Sequence, residues 1–297
     1  MDRRVLEARA AAVVERVLRR LPRRTTLALG RGLGRLLGDL DRRHLAIAAA
    51  NLRQAFPEWE AARTLRTARA VYAHFGSVLL DILWLRSRTP EKIRSLLEVN
   101  GREHVERVMA AGRGAVLVTA HIGNWELHGV AHGLLFGPIH VVARPLDNPE
   151  LDRRLCAMRT MGGNAVVYKR RALPLILRAL RENRGVALLI DQNVLAGDGI
   201  FVDFFGRKAA TTTVAAALAV KTGSAVVPCR SELLRDGRYR LRYAPALEWT
   251  PSGDRQRDIA CLTQRLTRQL EDWVRETPEQ WLWMHRRWKT RPPEETA

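Results

Sequence analysis

His121 and Glu126 stand five positions apart in the run Thr119-Ala-His121-Ile-Gly-Asn-Trp-Glu126-Leu-His128-Gly. A neutral imidazole can take a proton from a substrate hydroxyl, and a carboxylate beside it can hold its tautomer and stabilise the imidazolium that forms. Spacing decides whether the two can meet. On one continuous helix, at ~100° per residue, they would point about 140° apart, so the chemistry needs a break between them. The sequence supplies one. Ala115–Val118 reads as an apolar strand, and Asn124 as the cap of a following helix with Glu126 in its first turn. His121 then emerges at the carboxyl end of a strand, where open α/β sheets place their ligands. The alternative is an ordinary loop histidine next to a glutamate that complements a helix dipole, and two residues alone do not separate these readings.

The elements that must position the pair follow from periodicity. Residues 1–86 read as helical, with Leu6, Ala10, Val13, Val17 and Leu21 at three- and four-residue spacing and arginines on the other face. Residues 1–45 hold twelve Arg against five acids, a local net of +7. Such a helix can lie in a membrane interface or pack its stripe on the protein's own core, and the sequence leaves both open. Pro22 and Pro57 mark breaks. From about residue 98, β-branched runs at Ala115–Thr119, Ile139–Ala143, Ala165–Tyr168, Val186–Ile190 and Ala225–Pro228 alternate with helical patterns at 126–136, 148–160, 171–183 and 209–222. Arg240–Leu247 adds a possible strand and 254–276 a long terminal helix. The expectation is one α/β domain with a mixed, mostly parallel central sheet flanked by helices. It divides into a basic, amphipathic, membrane-associating extension (1–86) and a catalytic core (87–297).

Composition bounds the partners. A chain of 297 residues with 46% apolar and 27% charged side chains is globular and needs no disulfide or metal staple. Cys156, Cys229 and Cys261 are scattered, with no C-x2-C pair to suggest a zinc site. The net charge of +19 predicts an anionic partner: nucleic acid, an anionic membrane, or phosphorylated substrates and carriers. The longest stretch free of charged residues, Leu127–Ala143, holds three histidines and Pro138. It falls short of the ~20 apolar residues of a spanning helix, so no membrane span is expected. Arginines interrupt every apolar run at the N-terminus, so no secretory h-region is read there and the chain is expected on the cytosolic side.

Five ordered blocks then carry a resemblance. His121-Ile-Gly-Asn-Trp-Glu126 resembles the His-x4-Glu signature of the late acyltransferases of lipid A biosynthesis, the lauroyl/myristoyl transferase group. Asn51-Leu-Arg-Gln-Ala-Phe-Pro57 is similar to that family's N-terminal segment. Arg144-Pro-Leu-Asp-Asn-Pro149, Arg159 and Asp191-Gln192 are similar to its middle blocks. Phe201-Val-Asp-Phe-Phe-Gly206 with Ala210-Thr-Thr-Thr213 follows, and Pro278-Glu-Gln-Trp-Leu-Trp-Met-His-Arg-Arg-Trp-Lys-Thr-Arg-Pro292 closes the series. The resemblance implies a glycerolipid acyltransferase-like fold and acyl transfer from acyl-carrier protein to a hydroxyl of a phosphorylated glycolipid, with no metal, nucleotide or other cofactor. It implies His121 as general base with Glu126 as its partner. Arg159, Asp191 and Arg144 are implied as substrate-binding positions, with Arg159 suited to a phosphate or a developing oxyanion and Asp191 to orienting Arg159 or another cation. The basic N-terminal stretch replaces the family's frequent apolar anchor, so peripheral attachment to the cytoplasmic face of the inner membrane is implied.

Other readings have less behind them. His128 and His132 share a helical face but lack a third ligand for a metallohydrolase. No Gly-x-Ser-x-Gly elbow marks a serine hydrolase. Trp281, Trp283 and Trp288 among basic residues would suit a noncatalytic nucleic-acid binder, but no such motif surrounds them. Within acyl transfer, a phosphatidylinositol mannoside or a lysophospholipid is the alternative acceptor.

Overall fold

The apolar runs become the middle of a sheet because parallel strands are covered on both faces and must be apolar on both. The structure, a computed structural model, describes residues 3–169 and 172–293. Among these, the strands in chain order are β1 (Leu97–Asn100), β2 (Ala115–Thr119), β3 (Ile139–Ala143), β4 (Ala165–Tyr168), β5 (Gly185–Leu189), β6 (Ile200–Phe204), β7 (Arg207–Thr211), β8 (Ala225–Leu233) and β9 (Tyr239–Tyr243). Seven form one sheet in the order β1-β9-β8-β2-β5-β3-β4, and β6 and β7 form a separate hairpin. Every neighbouring pair in the large sheet is parallel except β8 with β9. This is the α/β architecture that the alternation implies.

The helices are α1 (Arg3–Leu18), α2 (Arg23–Leu40), α3 (Arg42–Ala55), α4 (Ala61–Leu85), α5 (Pro90–Arg94), α6 (Arg102–Ala110), α7 (Trp125–Phe136), α8 (Pro149–Arg159), α9 (Ala172–Arg181), α10 (Val214–Thr222) and α11 (Arg255–Glu276). The strands alternate with period two between two layers. Val116, Val118, Val186 and Val226 pack on Ile176 and Leu180 of α9, Leu218 of α10 and Leu262 and Leu266 of α11. Ala115, Leu117, Ile139 and Val227 face Val105 and Val108 of α6 and Ala131 of α7. A third core joins Leu52 of α3, Val71 of α4 and Phe204 of β6 to Trp281, Trp283 and Trp288, so the N-terminal helices and the C-terminal tail share one interior. Those tryptophans are buried and offer no face for stacking bases.

The structure bears on three expectations and corrects one of them. The pattern read as a helix from 209 starts as strand: Phe205 and Gly206 both take positive φ, the geometry of a two-residue hairpin turn, which pairs Val202 with Ala209. Only from Val214 does the alanine run become helix. Arg171, where another helix was placed to begin, lies outside the described residues. Finally, one helix, α4, is long and apolar enough to cross a membrane by length and composition, although 67% of its most apolar window is buried inside the protein. It is a core helix clasped by α2, whose Gly34 backbone approaches so closely that an added Cβ would lie 2.1 Å from the Tyr72 carbonyl oxygen.

The ambiguous stripe on α1 resolves in one direction. Leu6, Val13 and Val17 are exposed, and the helix turns Ala8 and Leu18 inward instead. Leu29, Leu33, Leu36, Leu37 and Leu40 of α2 are exposed as well.

The α2–α4 contact gives a paired test. Gly34→Val should lower stability by about 1–3 kcal/mol, as overpacked sites do. Gly32→Ala, where nothing stands within 4 Å of the new carbon, should hold or raise stability by up to ~1 kcal/mol. Thermal unfolding of both variants reads the difference, and equal behaviour would show that the close approach is not required.

Candidate active site

The register of one strand pair brings the central contact together. Thr119 of β2 is level with Leu189 of β5, so the residues two further on, His121 and Asp191, leave the sheet side by side. Asp191 is fully buried and receives three hydrogen bonds. The His121 backbone N–H reaches Oδ2 at 2.9 Å, the His121 ring meets Oδ1 through Nδ1 at 2.8 Å, and the Trp281 indole N–H reaches Oδ2 at 2.9 Å. Burial opposes ionisation of Asp191, but the charge and hydrogen bonds of His121 outweigh it and hold the carboxyl well below the usual range. For His121, burial disfavours the imidazolium while Asp191 favours it more, so its pKa is raised above 6.5. A carboxylate at Nδ1 requires the proton there and leaves the Nε2 lone pair for a substrate.

Glu126 does not serve His121 in this way. Its carboxylate is engaged by Arg159, with Nε at 2.7 Å from Oε2 and Nη2 at 2.5 Å from Oε1. The sequence expectation paired His121 with Glu126, and gave Asp191 to Arg159 or another cation; in the structure Asp191 meets His121, and Glu126 meets Arg159. The reason is geometric: the Asn124 cap, which accepts from the Leu127 N–H at 3.0 Å, sets Glu126 in the first turn of α7, level with the last residue of α8. Each end also suits its charge, since a carboxylate complements a helix N-terminus and a guanidinium a C-terminus. Glu126 remains close enough to His121 to favour its charged form, and the Trp125 ring lies 4.8 Å from the imidazole. Arg159 Nη1 is buried with no hydrogen-bond partner among the described residues, a donor left for a bound anion. Arg144 stands apart on the loop after β3, solvent-exposed and paired with Asp147 at 3.1 Å.

The loop between the two chemical residues is fixed from three sides. Gly123 has φ +59°, and a Cβ there would lie 2.1 Å from the Ser231 carbonyl oxygen, so only glycine fits. The Asn124 N–H donates to Ser231 Oγ at 2.8 Å, and the Asn124 amide donates to the Tyr239 hydroxyl at 3.2 Å. That hydroxyl donates to Asp81, which Arg23 grips through two further 2.8 Å contacts. On the remaining side, Ile122 bridges to Trp281, the Gly123 N–H donates to the Gln280 carbonyl and the Leu282 N–H donates to the His121 carbonyl. In the sequence, Trp281, Trp283 and Trp288 stand out only as an aromatic group among basic residues. No local signal shows that Trp281 reaches a carboxylate ninety positions upstream.

The competing sites dissolve. His132 bonds the Tyr243 hydroxyl at 3.1 Å, and burial pushes His128 and His132 down to about 4 and about 3. Among the described residues no group of three or more His, Cys, Asp or Glu side chains is arranged to hold a metal ion.

Comparisons with known proteins agree with the blocks read in the sequence. A family model described as bacterial lipid A biosynthesis acyltransferase matches residues 4–290. The chain is similar to the lipid A biosynthesis lauroyltransferase of Escherichia coli (strain K12), with 30% identity over 92% of this chain and 88% of the relative. It is 27% identical to the lipid A biosynthesis palmitoleoyltransferase of the same organism, over 93% of this chain and 89% of the relative. A phosphatidylinositol mannoside acyltransferase of Mycolicibacterium smegmatis is 29% identical over 74% of this chain and 71% of the relative.

Asp191→Asn removes the charge and keeps the shape. The His121 titration, followed by NMR, should fall because burial is then opposed only by the weaker pull of Glu126. The attraction stabilises the fold fully below the unfolded value near 6.5 and is lost as pH rises through the raised folded value. The stability gap between wild type and variant should therefore narrow over that interval. An unmoved His121 titration would show that Asp191 does not set its protonation.

Proposed function

The chain belongs to the bacterial lipid A biosynthesis acyltransferase family, and from that premise we propose that it transfers a fatty acyl chain from acyl-carrier protein to a hydroxyl of a phosphorylated lipid A precursor at the cytoplasmic face of the inner membrane. The observation that supports this reading best is the buried Asp191 carboxylate on His121 Nδ1, which leaves Nε2 as the base. The acceptor hydroxyl gives its proton to Nε2 while its oxygen attacks the thioester carbonyl carbon. The tetrahedral oxyanion then collapses, the carbon–sulfur bond breaks, and the departing thiolate takes the proton back from His121. Ester and thiol are the products, and atoms and charge balance with these two reactants alone. Asp191 stabilises the transient imidazolium. Glu126 holds Arg159 so that its free Nη1 meets the oxyanion or a substrate phosphate. Arg144 adds an exposed positive charge for anionic substrates. The fuller coverage by the lipid A relatives, 92% and 93% of the chain against 74%, favours a lipid A precursor over a phosphatidylinositol mannoside.

Carrier-dependent transfer tests the assignment. His121→Ala should lower kcat by about a hundred- to ten-thousand-fold, the range of a lost general base. His121→Ala/Asp191→Asn should be little worse than His121→Ala, because members of one unit are not additive. Arg159→Lys keeps the charge but loses the planar fork on Glu126 and should stay well below wild type. Near-wild-type turnover in folded His121→Ala would remove the basis of the mechanism.

Attachment to the membrane follows from the outward faces of α1 and α2. Exposed apolar rows among arginines fit an interface that takes the side chains into lipid and the charges against anionic headgroups, at ~1 kcal/mol per basic residue. Leu6→Glu/Val13→Glu/Val17→Glu alters only exposed positions and should leave thermal unfolding unchanged. In vesicle flotation it should reduce binding by at least about tenfold, one such side chain being worth ~1.5–3 kcal/mol. Unchanged flotation would move the anchor to another surface.

A further inference from the structure

A second basic feature lies outside the pair of hydrogen-bonded couples at the sheet. A cleft of about 810 Å³ opens between α2, α4 and the turn joining β8 to β9. Arg31 and Arg35 project into it from α2, Arg66 and Arg69 from α4, and Arg235 from the turn, against only Asp39 and Glu279. Arg69 meets Asp39 at 3.5 Å. No side-chain hydrogen bond or ion pair joins Arg31, Arg35, Arg66 or Arg235 to any described residue, and all four are exposed. Three independent segments thus gather like charges, which repel, around a concave surface where five arginines face two carboxylates.

The cleft also touches the reactive loop from behind. His74 and Gln280 line its inner wall. His74 Nε2 lies 3.4 Å from the Gly123 carbonyl oxygen, and the Gln280 carbonyl accepts the Gly123 N–H at 2.9 Å. Burial pushes His74 down to about 4, so at neutral pH this wall is uncharged and the positive charge comes from the arginines alone. On α2, at ~100° per residue, Arg31 and Arg35 occupy one shoulder of the helix and the exposed leucines the other, with the glycines packed on α4 between them.

We propose that this cleft binds a phosphomonoester borne by a membrane lipid. Guanidinium forks match phosphate oxygens bidentately. A phosphomonoester carries about −1.5 to −2 charges at neutral pH, which suits several unpartnered arginines better than a single carboxylate would. The exposed α2 leucines bring lipid to the same helix. That the lipid is the acyl acceptor rests on the function proposed above, whereas phosphate recognition does not.

The test uses the full-length protein and vesicles of phosphatidylcholine doped with either phosphatidic acid or phosphatidylserine, matched for surface potential. Wild type should prefer the phosphatidic acid vesicles by about tenfold or more, a difference of ~1.4 kcal/mol. Arg31→Gln/Arg35→Gln should lose that preference, binding the two kinds of vesicle equally, and Arg31→Lys/Arg35→Lys should recover only part of it. No preference in the wild type, or a preference untouched in the Gln variant, overturns the proposal. So does equal competition by inorganic phosphate, which would make the site one for free phosphate. In acyl transfer, a raised KM for the acceptor at constant kcat in the Gln variant identifies the acceptor's own phosphate as the occupant, and an unchanged KM identifies a bulk lipid. A raised KM for the carrier protein with the vesicle preference intact would assign the cleft to the carrier and overturn the proposal. If wild type transfers no acyl chain, the reading of function fails, and the vesicle result still decides the phosphate site.

Discussion

One buried carboxylate organises this molecule. An ionised Asp191 with no solvent contact would be strongly destabilising if left unpaired, so the fold must bring it donors, and it does so from two distant segments. The loop after β2 provides the His121 backbone and ring, and the C-terminal tail provides the Trp281 indole. Removing one partner from such a buried arrangement typically costs about 3–5 kcal/mol. The tail is therefore held to the carboxyl edge of the sheet by the same charge that engages His121 Nδ1. The geometry of the His121–Asp191 pair and tertiary closure are a single requirement.

The surrounding scaffold passes rigidity inward. Pro228 sits where β8 leaves β2, its last partner there being Val118, and begins to pair with β9 from Cys229 onward. That divergence opens the space in which Ser231 meets the backbone of Gly123 and Asn124. The chain Arg23–Asp81–Tyr239–Asn124 then connects α2 and α4 to the helix that carries Glu126. Each polar member of this interior line has a partner, as buried polar groups require, and the line ties the N-terminal helices to the position of the α7 cap.

Surface chemistry divides by function. The interior arginines are committed: Arg230 to the Trp273 carbonyl and Glu276, and Arg287 to the Ala210 carbonyl and Thr211. Residues 1–45 carry +7 of the +19 net charge, set among exposed leucines and valines on α1 and α2. A soluble surface normally intersperses its apolar side chains singly. Rows of them beside arginines are the surface on which the proposed attachment to an anionic, apolar boundary rests.

Much of this was legible in the residues. Ala115–Thr119, Ile139–Ala143 and Ala165–Tyr168 were read to their final boundaries because continuous apolar runs between turn residues leave a strand little freedom. The strand–loop–helix break after His121 was likewise local, fixed by Gly123 and Asn124, and the family blocks singled out the positions whose geometry is described above. Tertiary structure decided who meets whom. His121 and Asp191 pair because β2 and β5 lie in parallel register, a relation across seventy positions that no spacing encodes. Glu126 turned to Arg159 because two helix termini of opposite charge abut. The α1 stripe pointed outward because Ala8 and Leu18, small and large on the opposite face, fit the interior available, and periodicity alone is equally satisfied by either face. The sequence settled the elements and the inventory of reactive groups, whose causes are local. Partnership and exposure came from packing, which is a property of the whole chain.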